Sequence, residues 1–299
     1  MKNQILASLI LSIGITVPVA VAKNKVVKIG ERPESVTKGF GGKYYVTVMN
    51  SADEEGDAVI KMLDEGKVSV FAKGLNEPKG IAFTGDYLVT ADQTRVMKID
   101  SKGNVSILAE KKSFKREVSF LNDVAVSHDR KSVFVTDMGA ISKMFDPDKE
   151  RSLWPLESKQ AKELPAIGCV YQITLDGKIT DAVSSGQKDV PGPNGVGRSG
   201  KEGLLLGDFF TGNIVRKTAK GKLRVIAKGL RGADAVEPDG KGGIYVSSWT
   251  QGKVWKLTEN GKKKELILDG LKSAADLFVD RKAKKLIVPD MLAGNLIFV

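Results

Sequence analysis

An all-β fold, specifically a six-bladed β-propeller whose last blade is closed by an N-terminal strand, is predicted by three features of this 299-residue chain. The first is a succession of short β-like runs bounded by Gly, Asn, Asp and Lys turns, the signature of a sandwich, barrel or propeller. The second is a motif in which a small or Pro residue, a polar one and an apolar one open such a run. Pro193-Asn194-Gly195-Val196 is the clearest copy; the others are Pro33-Glu34-Ser35-Val36, Pro78-Lys79-Gly80-Ile81, Leu121-Asn122-Asp123-Val124, Ala233-Asp234-Ala235-Val236 and Ala275-Asp276-Leu277-Phe278. Their second residues, Glu34, Lys79, Asn122, Asn194, Asp234 and Asp276, follow at intervals of 45, 43, 72, 40 and 42. A four-strand unit repeating at about 40–50 residues is the period of a propeller blade. The third feature lies at the ends: the sixth copy has three strands, while Val26 to Ile29 is a spare run that would supply the fourth and remove an open sheet edge.

The chain begins with a signal-peptide pattern over residues 1–22. Lys2 precedes an apolar stretch from Ile5 to Ala20, and Ala20-Val21-Ala22 is a small-x-small cleavage site before Lys23. Gly14, Thr16 and Pro18 interrupt that stretch, and no cysteine stands at the cleavage point for a lipid anchor. The expectation is an exported, periplasmic monomer with no membrane anchor after cleavage, folded as one domain over 23–299.

Within it, blade 1 runs through Lys43 to Val48, Ala58 to Met62 and Val68 to Ala72, and blade 2 through Gly80 to Phe83, Tyr87 to Thr90, Arg95 to Ile99 and Val105 to Leu108. Blade 3 is interrupted: the one long interval implies an insertion at about 138–168, between its second and third strands. That segment carries Pro147, Pro155 and Pro165 along with Phe145, Leu153 and Trp154. It reads either as a lid over the channel or as a loop packed on the rim. Blades 4 to 6 follow with little slack up to Val299.

Composition narrows the chemistry. His128 is the single histidine and falls in a turn on the face opposite the motif residues, so histidine-rich metal sites are excluded and a Ser-His-Asp triad is disfavoured. Cys169, the single cysteine, lies in a β-run beside Val170 and Tyr171 and reads as buried filler. The net charge of +11 comes largely from lysines in turns, such as Lys220-Gly221-Lys222 and Gly261-Lys262-Lys263-Lys264, with few aromatics beside them. Solvated turns, rather than a nucleic-acid surface, account for it.

Strands alternate in direction within a blade, which puts the starts of all first strands on one face, around the mouth of the central channel. Five of the six second-position residues offer carboxylate or amide oxygens, without nitrogen or sulfur ligands. Such a set suits one hard divalent cation, calcium first, with magnesium, manganese or zinc as alternatives. Carboxylates crowded at one mouth would repel unless an ion or Lys79 offset them. The plainer reading is that these residues cap strand starts by bonding loop backbone. The aspartates that end the second strands, Asp92, Asp137, Asp208 and Asp290, read as repeated turn chemistry.

In order and register, these motifs resemble the gluconolactonase, regucalcin and luciferin-regenerating-enzyme group of six-bladed propellers across the mature chain. Pro193-Asn194-Gly195, Asn122-Asp123, Glu34-Ser35 and Asp234 carry the resemblance. It implies a metal held by Glu34, Asn194 and Asp234, with Asn122 facing metal-bound water or substrate; Lys79, in the same ring, is a further substrate-binding candidate. The chain departs from the family at Val36-Thr37, where a tryptophan is usual, at Phe120, which replaces a sugar-contacting arginine, and at Ala235, which replaces a glycine. The expected activity is a divalent-metal-dependent lactonase or esterase acting on a small molecule, with Asp234 or Asp276 moving the proton. The alternative is a non-enzymatic periplasmic binding or scaffold propeller using the same face.

Overall fold

A computed structural model describes residues 24–51, 54–201 and 203–299 of the protein. The signal-peptide segment expected at 1–22 lies outside them. The described chain forms six four-stranded antiparallel sheets arranged as blades, each with strands A to D from the axis outward. The A strands are Pro33–Lys38, Pro78–Phe83, Leu121–Val126, Pro193–Ser199, Ala233–Pro238 and, in blade 6, the shorter Phe278–Asp280. The ring closes as expected: Lys25–Lys28 pairs antiparallel with Asn295–Phe298, Val26 opposite Ile297, and so becomes the outer strand of the last blade.

The core is distributed in wedges between neighbouring blades. One wedge joins Ile60, Ala72 and Leu75 of blade 1 to Ile81, Leu88 and Ile99 of blade 2. At the closure, Val36, Val46 and Val48 of blade 1 meet Ile287 and Leu296 of blade 6, with Ile29 from the N-terminal stretch. Truncating a side chain such as Ile60 to alanine would cost about 2–5 kcal/mol.

The start of each A strand is irregular, and this irregularity positions the site. In blades 1 to 5 the A–B ladder shifts register between the first and fourth residues of the motif, a β-bulge that releases the second and third residues from regular pairing. In blades 1, 3 and 5 a strand B hydroxyl takes over the lost hydrogen bond. Thr47 Oγ1 accepts from the Ser35 amide at 2.9 Å, Thr136 Oγ1 from Asp123 at 2.8 Å, and Ser247 Oγ from Ala235 at 2.8 Å. Thr47 and Thr136 in turn donate to the carbonyls of Lys79 and Asn194 in the next blade, each at 2.8 Å. One blade's bulge thus fixes the second-position residue of its neighbour. Gly195 shows how closely the blades approach: a Cβ there would stand 1.9 Å from the Asp234 carbonyl oxygen.

The aspartates ending strand B clamp the connection that enters strand A. Asp92 accepts from the Asn76 and Glu77 amides, Asp137 from Ser119 and Phe120, and Asp290 from Lys272 and Ser273. This is the repeated turn chemistry expected of them.

The segment from Met138 to Gly168 joins strands B (Ser132–Asp137) and C (Cys169–Thr174) of blade 3. It carries a 3-10 turn, Ile141–Lys143, and a short α-helix, Lys159–Lys162, capped by the Ser158 hydroxyl. Arg151 donates to the carbonyls of Trp249 and Lys272, and Arg231 donates to that of Trp154, which ties the segment across the mouth to the far side of the ring.

Candidate functional site

At this mouth lies a cavity of about 220 Å³. Glu34, Lys79, Asn122, Asn194 and Asp234, the second-position residues of blades 1 to 5, all line it and are buried. Four of their oxygens, Glu34 Oε2, Asn122 Oδ1, Asn194 Oδ1 and Asp234 Oδ1, have no hydrogen-bond partner among the described residues. Buried acceptors are nearly always paired, so four orphans from four blades at one cavity call for an explanation. The Asn122 amide nitrogen contacts Met138 Sδ at 3.2 Å, which leaves its oxygen for the cavity.

Electrostatics reinforces the point. Burial, then the Asp234 charge, holds the Glu34 carboxyl well above the usual carboxylate range, with Lys79 opposing. Burial, then Asp123, does the same to Asp234, with the Asn194 side chain opposing. Lys79 Nζ lies 3.1 Å from Glu77 and 4.4 Å from the centre of the Phe120 ring, and Glu77 also pairs with Arg32 at 2.9 Å. The positive charge of Lys79 is therefore shared with an acid outside the motif.

Sequence reasoning misplaced Asp276. In blade 6, Ala274 bridges Asp290 and Phe278 pairs with Ile287, so Ala275 occupies the second position and Asp276 the third. Asp276 therefore stands level with Ser35 and Asp123, accepts a hydrogen bond from the Ser35 hydroxyl, and lines the opposite cavity instead. Asp276 shares the polar character of the other second positions, but the residue that holds this position in blade 6 is alanine.

A second ring was missed. The residue after each strand B end is Met49, Gln93, Met138, Phe209, Trp249 or Met291, and all but Gln93 line the cavity. The amides of those five donate to the carbonyl just before their blade's motif, for example Phe209 to Gly192 at 3.0 Å and Trp249 to Gly232 at 2.8 Å. A large apolar residue recurring directly after the strand B ends was the available signal. Phe145 of the insertion packs against Phe209 and Trp249, with ring centres 5.8 and 6.5 Å apart, and with Ile141 it completes the wall. The site therefore has a floor of oxygens and walls of aromatic and thioether side chains.

The donors fit a divalent ion in kind: two carboxylates and two amides, all oxygen, three of the four from the set that the family resemblance implies. Among the described residues no three His, Cys, Asp or Glu side chains form a ligand cluster, so the amide oxygens are indispensable to this candidate centre.

No protein-family model matches the chain, and no curated protein matches it in sequence. Solved structures do. Regucalcin from Agrobacterium tumefaciens, described as a calcium-binding protein, is similar with a TM-score of 0.63 at 17% identity, covering 92% of this chain and 90% of its own. A gluconolactonase from Xanthomonas campestris gives 0.60 at 16% identity, covering 92% and 96%. A chain of the nidogen/laminin complex gives 0.62 at 14% identity, covering 82% of each. These likenesses establish the fold.

Proposed function

We propose that the protein is an exported hydrolase of the lactonase or esterase type that depends on one divalent cation, calcium first. Four unpartnered, buried oxygens converging on one cavity carry this reading. Glu34, Asn194 and Asp234 would hold the ion with Asn122 beside them, and when bound it would polarise a carbonyl and lower the pKa of water. Around it, the chain's own residues do three things. Lys79, held between Glu77 and the Phe120 ring, presents its Nζ at the cavity edge toward developing negative charge. Phe145, Phe209 and Trp249 exclude water from the reacting centre and pack on the body of the substrate. The proton falls to Asp234 or Glu34, since His128 and Asp276 both lie at the other cavity.

The walls also select the substrate. A polyhydroxylated sugar lactone would bury hydroxyls against Met49, Met138 and Met291, each unpaired hydroxyl costing about 1–3 kcal/mol. A lactone or ester with an alkyl or aryl body meets no such cost. The test is turnover of alkyl and aryl lactones and esters by the purified protein, with and without chelator. Chelator-sensitive hydrolysis that disappears in Asn194→Ala and Asp234→Ala is expected; full activity in those variants would sink the reading. The second reading, a non-enzymatic binding propeller using the same mouth, is supported by the comparable likeness to the nidogen/laminin chain. It would be favoured by a tightly bound molecule released unchanged.

A further inference from the structure

The channel has a second mouth, where the A strands end and the A–B turns begin, and it opens into a cavity of about 710 Å³. Its rim is cationic. Arg130 comes from the A–B turn of blade 3, Arg198 from the end of strand A of blade 4, and Arg281 from the turn of blade 6, with Lys38 and Lys201 beside them. Lys38 is paired with Asp280 at 2.8 Å. The three arginines are not so paired: among the described residues no carboxylate lies within ion-pair distance of any of them. Arg198 meets His128 Nδ1 at 3.0 Å, Arg281 donates to the Pro238 carbonyl at 2.7 Å, and Arg130 reaches the Phe83 carbonyl at 3.5 Å.

The acids of this cavity have other engagements. Asp123 accepts from the Val124 and Val196 amides at 2.6 Å each, and Asp276 accepts from the Ser35 hydroxyl. Glu237 lies among the arginines without an ion pair to any of them; burial, then the Asp123 charge, pushes its carboxyl up to about 8, with the Arg281 and Arg198 charges opposing.

We propose that this second mouth binds a small polyanion, a molecule carrying two or more carboxylate or phosphate groups. A guanidinium presents a planar fork of donors that matches both groups, and three of them on separate blades around one opening can hold separate anionic groups of one ligand. The volume is in the range of small-molecule sites. The site is independent of the chemistry proposed at the other mouth.

The test is calorimetric titration of the full-length mature protein, at physiological ionic strength, with succinate and with pyrophosphate as probes. Saturable binding of at least one probe at one site is expected, weakened about tenfold or more by the double substitution Arg198→Gln/Arg281→Gln, as loss of charge-assisted hydrogen bonds implies. Asp234→Asn, at the other mouth, leaves that binding unchanged, and the double variant keeps the wild-type melting temperature. Three results would overturn the proposal. They are no saturable binding of either probe, binding untouched by the double substitution, and equal weakening by Lys220→Gln/Lys222→Gln in a remote surface turn, which would mark general charge attraction.

Discussion

The two mouths of one channel are built from the same six A strands, yet their chemistries are opposite. At the entrance, bulges turn second-position side chains onto the axis, strand B ends add apolar walls, and the insertion of blade 3 crosses above. The product is a small cavity with buried acceptor oxygens that lack donors among the described residues. At the exit, strands run straight into turns, and the result is a cavity about three times larger, rimmed by guanidiniums that pair with no carboxylate among the described residues. The difference teaches that a propeller sets function through the local backbone at each end of strand A: a bulge converges side chains, a turn spreads them.

The largest expected effect tests the entrance. Asp234→Asn should abolish stoichiometric ion binding and reduce hydrolysis by at least about 100-fold. It should also stabilise the ion-free protein at neutral pH, because a buried carboxyl with a raised pKa is removed. Calorimetry and ion titration read both arms, and a purely structural Asp234 would not move them in opposite directions.

Next in size is Gly195→Ala. The added Cβ collides with the Asp234 carbonyl, and a loss of about 1–3 kcal/mol with weakened ion affinity is expected.

A pH series sharpens the contrast further. Folded carboxyls with raised pKa stabilise the native state fully below about pH 4 and lose that contribution as pH rises through the folded value. Asp123 sits at about 6, and burial likewise raises Glu34, Asp234 and Asp276 well above the usual carboxylate range. The melting temperature of the chelator-treated protein should therefore fall from pH 5 toward pH 8, and added calcium should restore it at the upper end only.

The clamps at the strand B ends come next. Asp290→Ala leaves two connection amides without their acceptor and should cost about 1–3 kcal/mol, with ion affinity little changed. Smallest is Arg198→Gln at the exit, for which hydrolysis rates should stay at the wild-type level.

Much of this architecture was legible in the sequence, because a repeat exposes register-equivalent positions. Glu34, Asn122, Asn194 and Asp234 could be placed together from topology alone, and the closing strand was visible as a fourth strand missing at one end and spare at the other. Polarity misled where it replaced geometry. Asp276 looked like a ring member, but which residue faces the axis depends on the bulge and its pairing with Asp290, a relation between strands that no single motif records. The ring of Met49, Met138, Phe209, Trp249 and Met291 went unread because apolar residues beside strands look like core. The arginines of the exit come from turns of different blades, too far apart in sequence to suggest one site.

The central claim is that the unpartnered oxygens of the entrance hold one divalent ion. Equilibrium dialysis with calcium, followed by elemental analysis, measures it directly on the wild type and on Asn194→Ala. One ion per wild-type chain, and none in a variant that keeps its fold by circular dichroism, is the expected result. A wild-type chain that retains no calcium, magnesium, manganese or zinc, or an Asn194→Ala variant that still binds one ion per chain, would contradict it.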